Sequence, residues 1–281
     1  MENIIIPDEN RLEEIKKRIS KEGRDKFHVL ADFDQTLTKS FVKGKGTVSV
    51  ISVLRNGNYL SPEYREKAHE LANKYKPIEF DPKMSIEEKK PMMQEWWEKH
   101  FQLLIQSGLN LNDIKEVVKN RDFEFRDGAF KFLDMLKIKS IPLVIISSSG
   151  LGDAIFLYLE GNKKLYDNVS VITNRFNFNE KGYAISVKRP IITSMSKDEG
   201  SIKEHSIFNK IRNKKNVLLL GNSIADVKMI YGFEYDNLIK IGFLNENVEE
   251  NLENFKNNFD VILLGDPGMD YINSLIKELF G

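Results

Sequence analysis

The sequence predicts an α/β fold, a doubly wound parallel sheet with a helical cap domain inserted after its first core strand. Three observations carry this. Short runs rich in Val, Ile and Leu recur at 27–31, 142–146, 217–220, 238–241 and 261–264. They are apolar throughout rather than alternating, as strands buried on both faces of a parallel sheet must be. Each is followed by turn chemistry and a helical pattern, the rhythm of βα units.

The elements follow in order. Residues 9–22 form a leading amphipathic helix before the first core strand at 27–31. From about Phe41 to Phe125 the rhythm breaks into long, charge-laced helices at 62–76, 85–107 and 111–120, punctuated by Pro77, Pro82 and Pro91, with no convincing buried strand. This places a cap at 43–125 between core segments 1–42 and 126–281, with junctions near Gly44–Gly46 and Arg126–Gly128. Helices at 128–138, 151–159, 200–212, 223–231, 248–256 and 269–279 complete the core. Residues 175–187 alternate around Asn179-Glu180-Lys181-Gly182, which predicts a hairpin on the sheet's edge.

Composition narrows the function. The 281 residues contain no cysteine, which excludes disulfides, a thiol nucleophile and thiolate-bound metals. Lys plus Arg equals Asp plus Glu at 42 each, so no overall field draws the chain to a nucleic acid polymer or an anionic membrane. No apolar run approaches the ~20 residues that a bilayer requires. No basic, apolar leader is present either, so a cytoplasmic location is expected. The Lys43-Gly44-Lys45-Gly46-Thr47 run lacks P-loop spacing and reads as a hinge. The four histidines are scattered without metal-ligand spacing.

The chemistry concentrates at strand ends. Ala31-Asp32-Phe33-Asp34-Gln35-Thr36-Leu37-Thr38 closes the first core strand, at the carboxyl edge where ligands of open α/β sheets bind. Two carboxylates one residue apart repel unless a proton or cation intervenes, and Mg²⁺ shared with a substrate phosphate resolves the conflict. Asp32 can then attack phosphorus while Asp34 handles the proton. Ser147-Ser148-Ser149-Gly150 ends the second strand before a helix start, suited to a phosphate oxygen or to plain N-capping. Lys197 can neutralise a transferring phosphoryl group or stand as a solvated lysine. Asn222 and Asp226 flank a helix start one turn apart and could offer oxygens to a metal, whereas Asn222 or Ser223 would serve equally as its N-cap. In the cap, Glu95-Trp96-Trp97 precedes Phe101, with Trp97 and Phe101 on one helical face. Such rings can stack a base beside a carboxylate, or simply form the cap's own core.

In this order the motifs resemble the haloacid dehalogenase superfamily of aspartate-dependent phosphohydrolases, which implies its Rossmann-like core. Asp32–Thr38, Lys43-Gly44-Lys45, Glu87-Glu88-Lys89, Met93–Trp97, Ser148–Asp153, Lys197–Gly200 and Ile239–Asn245 are similar to the cytosolic 5'-nucleotidase III (pyrimidine 5'-nucleotidase) family. The resemblance implies Asp32 as nucleophile, Asp34 as general acid and base, Ser148 and Lys197 at the phosphate and Glu95 at the base. The residues themselves add Ser149 at the phosphate, Trp97 and Phe101 at the base, and Asp32, Asp34, Asn222 and Asp226 at Mg²⁺. The expected activity is hydrolysis of pyrimidine or 7-methylguanosine 5'-monophosphates by a monomer or weak homodimer whose partner is a small nucleotide. A sugar phosphatase, or a non-catalytic nucleotide binder of the same fold, is the alternative. This chain has Gly221-Asn222-Ser223 where the family has Gly-Asp-Ser, so an active but Mg²⁺-demanding enzyme is expected. Ser149 stands where Ala is common, and 47–60 fits the family poorly.

Overall fold

Each of the five apolar runs becomes a strand of one seven-stranded sheet in the computed structural model, which describes residues 3–46, 49–81, 83–120, 123–197, 205–231 and 234–281. In chain order the first elements are β1 (Ile4–Ile5), α1 (Glu9–Glu22) and β2 (Phe27–Ala31). A small hairpin, β3 (Phe41–Val42) and β4 (Lys45–Gly46), precedes α2 (Val50–Asn56), α3 (Pro62–Phe80), α4 (Ile86–Gln106) and α5 (Leu111–Lys119). The chain then rejoins the sheet through α6 (Ala129–Ile138), β5 (Leu143–Ser147), α7 (Asp153–Gly161) and β6 (Val169–Thr173). After the β7 (Phe176–Phe178) and β8 (Ala184–Val187) hairpin come α8 (Ile207–Ile211), β9 (Asn216–Gly221) and a 3₁₀ stretch (Ile224–Ile230). The last elements are β10 (Asn237–Leu244), α9 (Val248–Asn258), β11 (Val261–Leu264) and α10 (Asp270–Phe280).

The strand order is β1-β11-β10-β9-β2-β5-β6, parallel except for β1. Alternate residues feed opposite faces, which is why the runs carry no polar partner. Val29, Ala31, Leu143, Ile145, Leu218 and Leu220 enter one core with α1, α6, α7 and α10. Leu30, Val144, Ile146, Val217 and Leu219 enter a second with α8 and α9. The doubly wound expectation holds, and β2 sits centrally between β9 and β5.

Four expectations need correction. The 175–187 segment does form a hairpin, but β7 and β8 make their own two-stranded sheet and do not extend the main edge. Pro77 and Pro91 lie inside α3 and α4 rather than interrupting them, and Pro82 lies outside the described residues. The helix expected at 200–212 is described only as Ile207–Ile211, its earlier part lying outside the described residues. Within the stretch read as a hinge, 43–47, Lys43 and Gly44 form the tight turn of the β3–β4 hairpin, both left-handed at φ 53° and 73°, and Thr47 lies outside the described residues.

Helices α2 to α5 are absent from the sheet and form an insertion between β2 and β5. Its apolar residues are continuous with the main core, since Leu54, Tyr64, Phe101 and Leu104 pack in the cluster that contains β2. The outgoing and returning chains run side by side beneath it. Lys39 N donates to Glu124 O at 2.8 Å and Arg126 N to Leu37 O at 2.9 Å.

Candidate active site

Asp32 follows directly on β2, and its backbone N–H continues the sheet by donating to Leu220 O at 3.0 Å. The strand therefore delivers a carboxylate, 3% exposed, to the carboxyl edge of the sheet. Lys197 pairs with Asp32 Oδ1 and, at 3.0 Å, with Asp226 Oδ1. Thr36 Oγ1 lies 3.1 Å from Asp32 Oδ2 and 3.3 Å from Asn222 Oδ1, two acceptors for its one proton. Lys197 lies 165 positions from Asp32 in the sequence, and Asn222 and Asp226 lie farther still, yet the fold brings all four together.

Asp226 earns its place at the start of the 3₁₀ stretch. Its Oδ2 accepts from Asn222 N at 3.1 Å and Ser223 N at 3.0 Å, while Ser223 Oγ accepts from Ala225 N. Ser223, rather than Asn222, is the N-cap. A Cβ at position 221 would collide with the Asp226 side chain, so Gly221 is what lets this carboxylate fold back over the strand end. Asn222 turns its amide to the loop after β2, with Nδ2 donating to Gln35 Oε1 at 3.2 Å.

Asp34 is held separately. Its Oδ1 accepts from Val50 N at the first turn of α2, at 3.1 Å. Burial, and then the neighbouring Asp32 charge, push its carboxyl up to about 7, against the pull of the Val50 N–H. Burial also raises Asp32, although Lys197 opposes it. Burial works against the Lys197 charge, but Asp226 and Asp32 outweigh it and hold the ammonium above its ordinary range. The pair therefore contains one carboxylate in a cation's grip and one poised to carry a proton near neutrality.

The β5–α7 loop supplies the next wall. Ser148 is partly exposed, and Ser149 is buried, its Oγ accepting from Leu151 N at 3.4 Å. Asn174 clamps this loop, donating to Ser149 O at 3.2 Å and to Ile192 O at 2.8 Å on the segment leading to Lys197. Gly150 is occupied from the insertion side: a Cβ there would fall within the Trp97 ring. Trp97 itself stacks on Trp96, His100 and Phe101 at centroid separations of 5.7, 5.7 and 5.4 Å. The structure thus joins the expected base ring to the expected phosphate loop. Phe101 is 1% exposed and backs Trp97 from the main core. Glu95 stands on the exposed side of α4, paired with Lys99.

Arg126, which the sequence offered only as a junction, organises the loop that carries Asp34. It is 2% exposed and all its N–H groups are engaged. Nε donates to Thr36 O (2.7 Å), Nη1 to Asp266 Oδ1 (2.7 Å) and Pro267 O (2.8 Å), and Nη2 to Gln35 O (2.5 Å) and Asn245 Oδ1 (2.8 Å). Its plane lies 4.1 Å from the Phe243 ring centroid. Gln35, between Asp34 and Thr36, is left-handed at φ 58°, a conformation costly for a side chain with a Cβ. Donors from Arg126 and Asn245 on its carbonyl hold it there. No local sequence signal could reveal this, because the partners lie 90 to 141 residues away.

Comparison with known proteins decides what this arrangement belongs to. Residues 35–280 match the family model "Pyrimidine 5'-nucleotidase (UMPH-1)". The chain belongs to the pyrimidine 5'-nucleotidase (UMPH-1) family. Its similarity to a 7-methylguanosine phosphate-specific 5'-nucleotidase of Homo sapiens is 33% identity over 277 residues, covering 98% of this chain and 92% of that protein. A crystal structure of cytosolic 5'-nucleotidase IIIB bound to cytidine superposes with a TM-score of 0.90 at 26% identity, covering 99% of this chain and 94% of that one. A phospho-aspartyl intermediate analogue of phosphoserine phosphatase superposes at 0.52 with 16% identity over 88% and 96% of the two chains, which shows the shared fold. As a member of the UMPH-1 family with the haloacid dehalogenase fold, the protein is a phosphoric monoester hydrolase of the 5'-nucleotidase type. Among the described residues no helix is long and apolar enough to cross a membrane.

Proposed function

We propose that the chain is a cytoplasmic, Mg²⁺-dependent enzyme that hydrolyses pyrimidine or 7-methylguanosine 5'-monophosphates to nucleoside and phosphate through a phosphorylated Asp32. The observation that carries this reading is the division of labour between Asp32, ion-paired to Lys197, and Asp34, with a proton affinity near neutrality. Asp32 attacks phosphorus, and the bond from phosphorus to the ribose 5' oxygen breaks as Asp34 gives that oxygen its proton. Asp34, now a carboxylate, takes a proton from water. The water oxygen attacks phosphorus and releases Asp32 with orthophosphate. Lys197 offsets charge on Asp32 and on the transferring group throughout.

The donor set fits a divalent cation. Asp32 and Asp226 share one ammonium, Lys197, Asp34 lies near enough for the Asp32 charge to act on it, and Thr36 Oγ1 links Asp32 to the Asn222 carbonyl oxygen. Asp32, Asp34 and Asn222 would hold Mg²⁺, with Asp226 behind them, and the ion would neutralise the phosphoryl oxygens. In this reading 43–125 acts as a cap over the substrate. Trp97, seated on Gly150 and backed by Phe101, gives the base a stacking plane, and Glu95 comes to the base when Lys99 releases it. Ser148 and Ser149 line the phosphate. A relative bound to cytidine and another specific for 7-methylguanosine phosphate support this substrate class.

The test is phosphate release from uridine, cytidine, 7-methylguanosine and adenosine monophosphates, a hexose phosphate and an aryl phosphate, across a Mg²⁺ titration. Wild type is expected to favour the first three, and Asp32→Asn to lose at least about 10³-fold on all of them. Preference for the hexose phosphate would replace the nucleotide reading with the sugar phosphatase.

A further inference from the structure

The insertion buries a cation that has no carboxylate partner among the described residues. Arg55 lies in α2 and is 6% exposed. Among the described residues it makes a single hydrogen bond, Nη2 to Ser52 Oγ at 3.2 Å, and its Nε is buried without a partner. No carboxylate pairs with it among the described residues. Arg126 shows what a satisfied buried arginine looks like in this same protein, with five hydrogen bonds and Asp266 beside it. An unpaired guanidinium out of water is strongly unfavourable, so a fold that keeps one at this place holds it for an acceptor that arrives later.

The position says where that acceptor sits. Helix α2 begins at the catalytic centre, where Val50 N donates to Asp34. Arg55 is five residues on, about 7.5 Å along the axis, the reach from a nucleotide's phosphate to its base. Its charge acts on Tyr64 and His100. Tyr64 Oη and His100 Nε2 share a 3.1 Å hydrogen bond, and the His100 ring stacks on Trp97. His100 Nδ1 is likewise buried without a partner. A row of polar groups thus runs from the Trp97 stacking plane to the guanidinium.

We propose that Arg55 is a specificity-determining residue that receives an oxo oxygen of the substrate's base, which rests on the nucleotide reading above and selects within it. Uracil, cytosine and guanine each offer such an oxygen. Adenine offers ring nitrogens and an amino group instead, and leaves the guanidinium unanswered.

The experiment compares wild type, Arg55→Leu and Arg55→Gln on uridine, adenosine and aryl phosphates, with thermal unfolding measured alone and with added uridine or adenosine. Arg55→Leu is expected to melt higher than wild type, because an apolar side chain replaces an unpaired buried charge. It should lose roughly 10- to 100-fold in kcat/KM on uridine monophosphate and less than about threefold on the other two. Uridine should raise the melting temperature of wild type and not of the Leu variant. Arg55→Gln, neutral but still a donor, should recover part of the uridine preference. A Leu variant that unfolds or melts lower assigns Arg55 a structural role and overturns the proposal, as do equal losses on uridine and adenosine substrates. Wild type inactive on every nucleotide would instead defeat the functional reading itself.

Discussion

Asp34 is where burial becomes reactivity. Its carboxyl is pushed up to about 7 by burial and by Asp32, so in the proposed reaction it would enter carrying the proton that the leaving oxygen needs. As pH rises through that value the proton is lost, and kcat/KM should fall on the alkaline side. Asp34→Asn should remove that limb and lower turnover of nucleotides by about 10²- to 10⁴-fold. An aryl phosphate, whose leaving group needs no proton, should still give a burst of about one equivalent before hydrolysis stalls. Rapid-mix kinetics reads both. His100 makes the opposite case, a group silenced by burial. Its pKa is lowered to about 3, so the folded protein refuses a proton that the unfolded chain accepts at its ordinary 6.5. The stability this imparts is complete above pH 6.5 and is lost as pH falls toward 3. Between pH 7 and 5, wild type should lose about 2 kcal/mol more than His100→Gln, measured by denaturant unfolding at each pH.

At the scale of elements, the seam between α4 and the β5–α7 loop is set by one missing methyl group. Because a Cβ at position 150 overlaps Trp97, Gly150→Ala should displace the ring or the serine loop and cost about 1–3 kcal/mol. In a Trp97→Ala background the same change should cost little, and the double-mutant cycle in unfolding free energy exposes the coupling. Which elements could be read from sequence follows the same physics. Strands β2, β5, β9, β10 and β11 are buried on both faces and wrote themselves as apolar runs. Strand β6 lies at the sheet's edge, and Val169-Ser170-Val171-Ile172-Thr173 mixes Ser and Thr among its apolar residues, so it escaped notice. Strand β1 is two residues long and carries no pattern at all. The Asp32, Asn222 and Asp226 chemistry was legible because strand ends announce it. The Arg126 contacts and the isolation of Arg55 were not, since both depend on which distant groups come near, or fail to.

For the whole molecule, charge decides how the catalytic centre and the fold respond to metal. Asp32 and Asp226 against one lysine leave surplus negative charge at the sheet's edge, and the raised proton affinity of Asp34 reflects it. A cation that binds only the folded form should therefore raise the melting temperature with its concentration. Asn222→Asp should reach half-maximal activity and half-maximal stabilisation at about tenfold less Mg²⁺, and should melt lower than wild type in chelator, where its extra charge goes unmet. Equal Mg²⁺ requirements in the two proteins would remove Asn222 from the metal's surroundings.

One feature below the insertion ties its two ends together. The chain departs at Ser40 and Phe41, whose N–H groups donate to Asp266, and comes back at Arg126, bound to the same Asp266. Departure and return are thereby knotted to a single half-buried carboxylate, and the Arg126 side of the knot also grips the backbone beside Asp34. The departing chain, the returning chain and the loop that carries Asp34 therefore share one anchor, and a disturbance at Asp266 reaches all three.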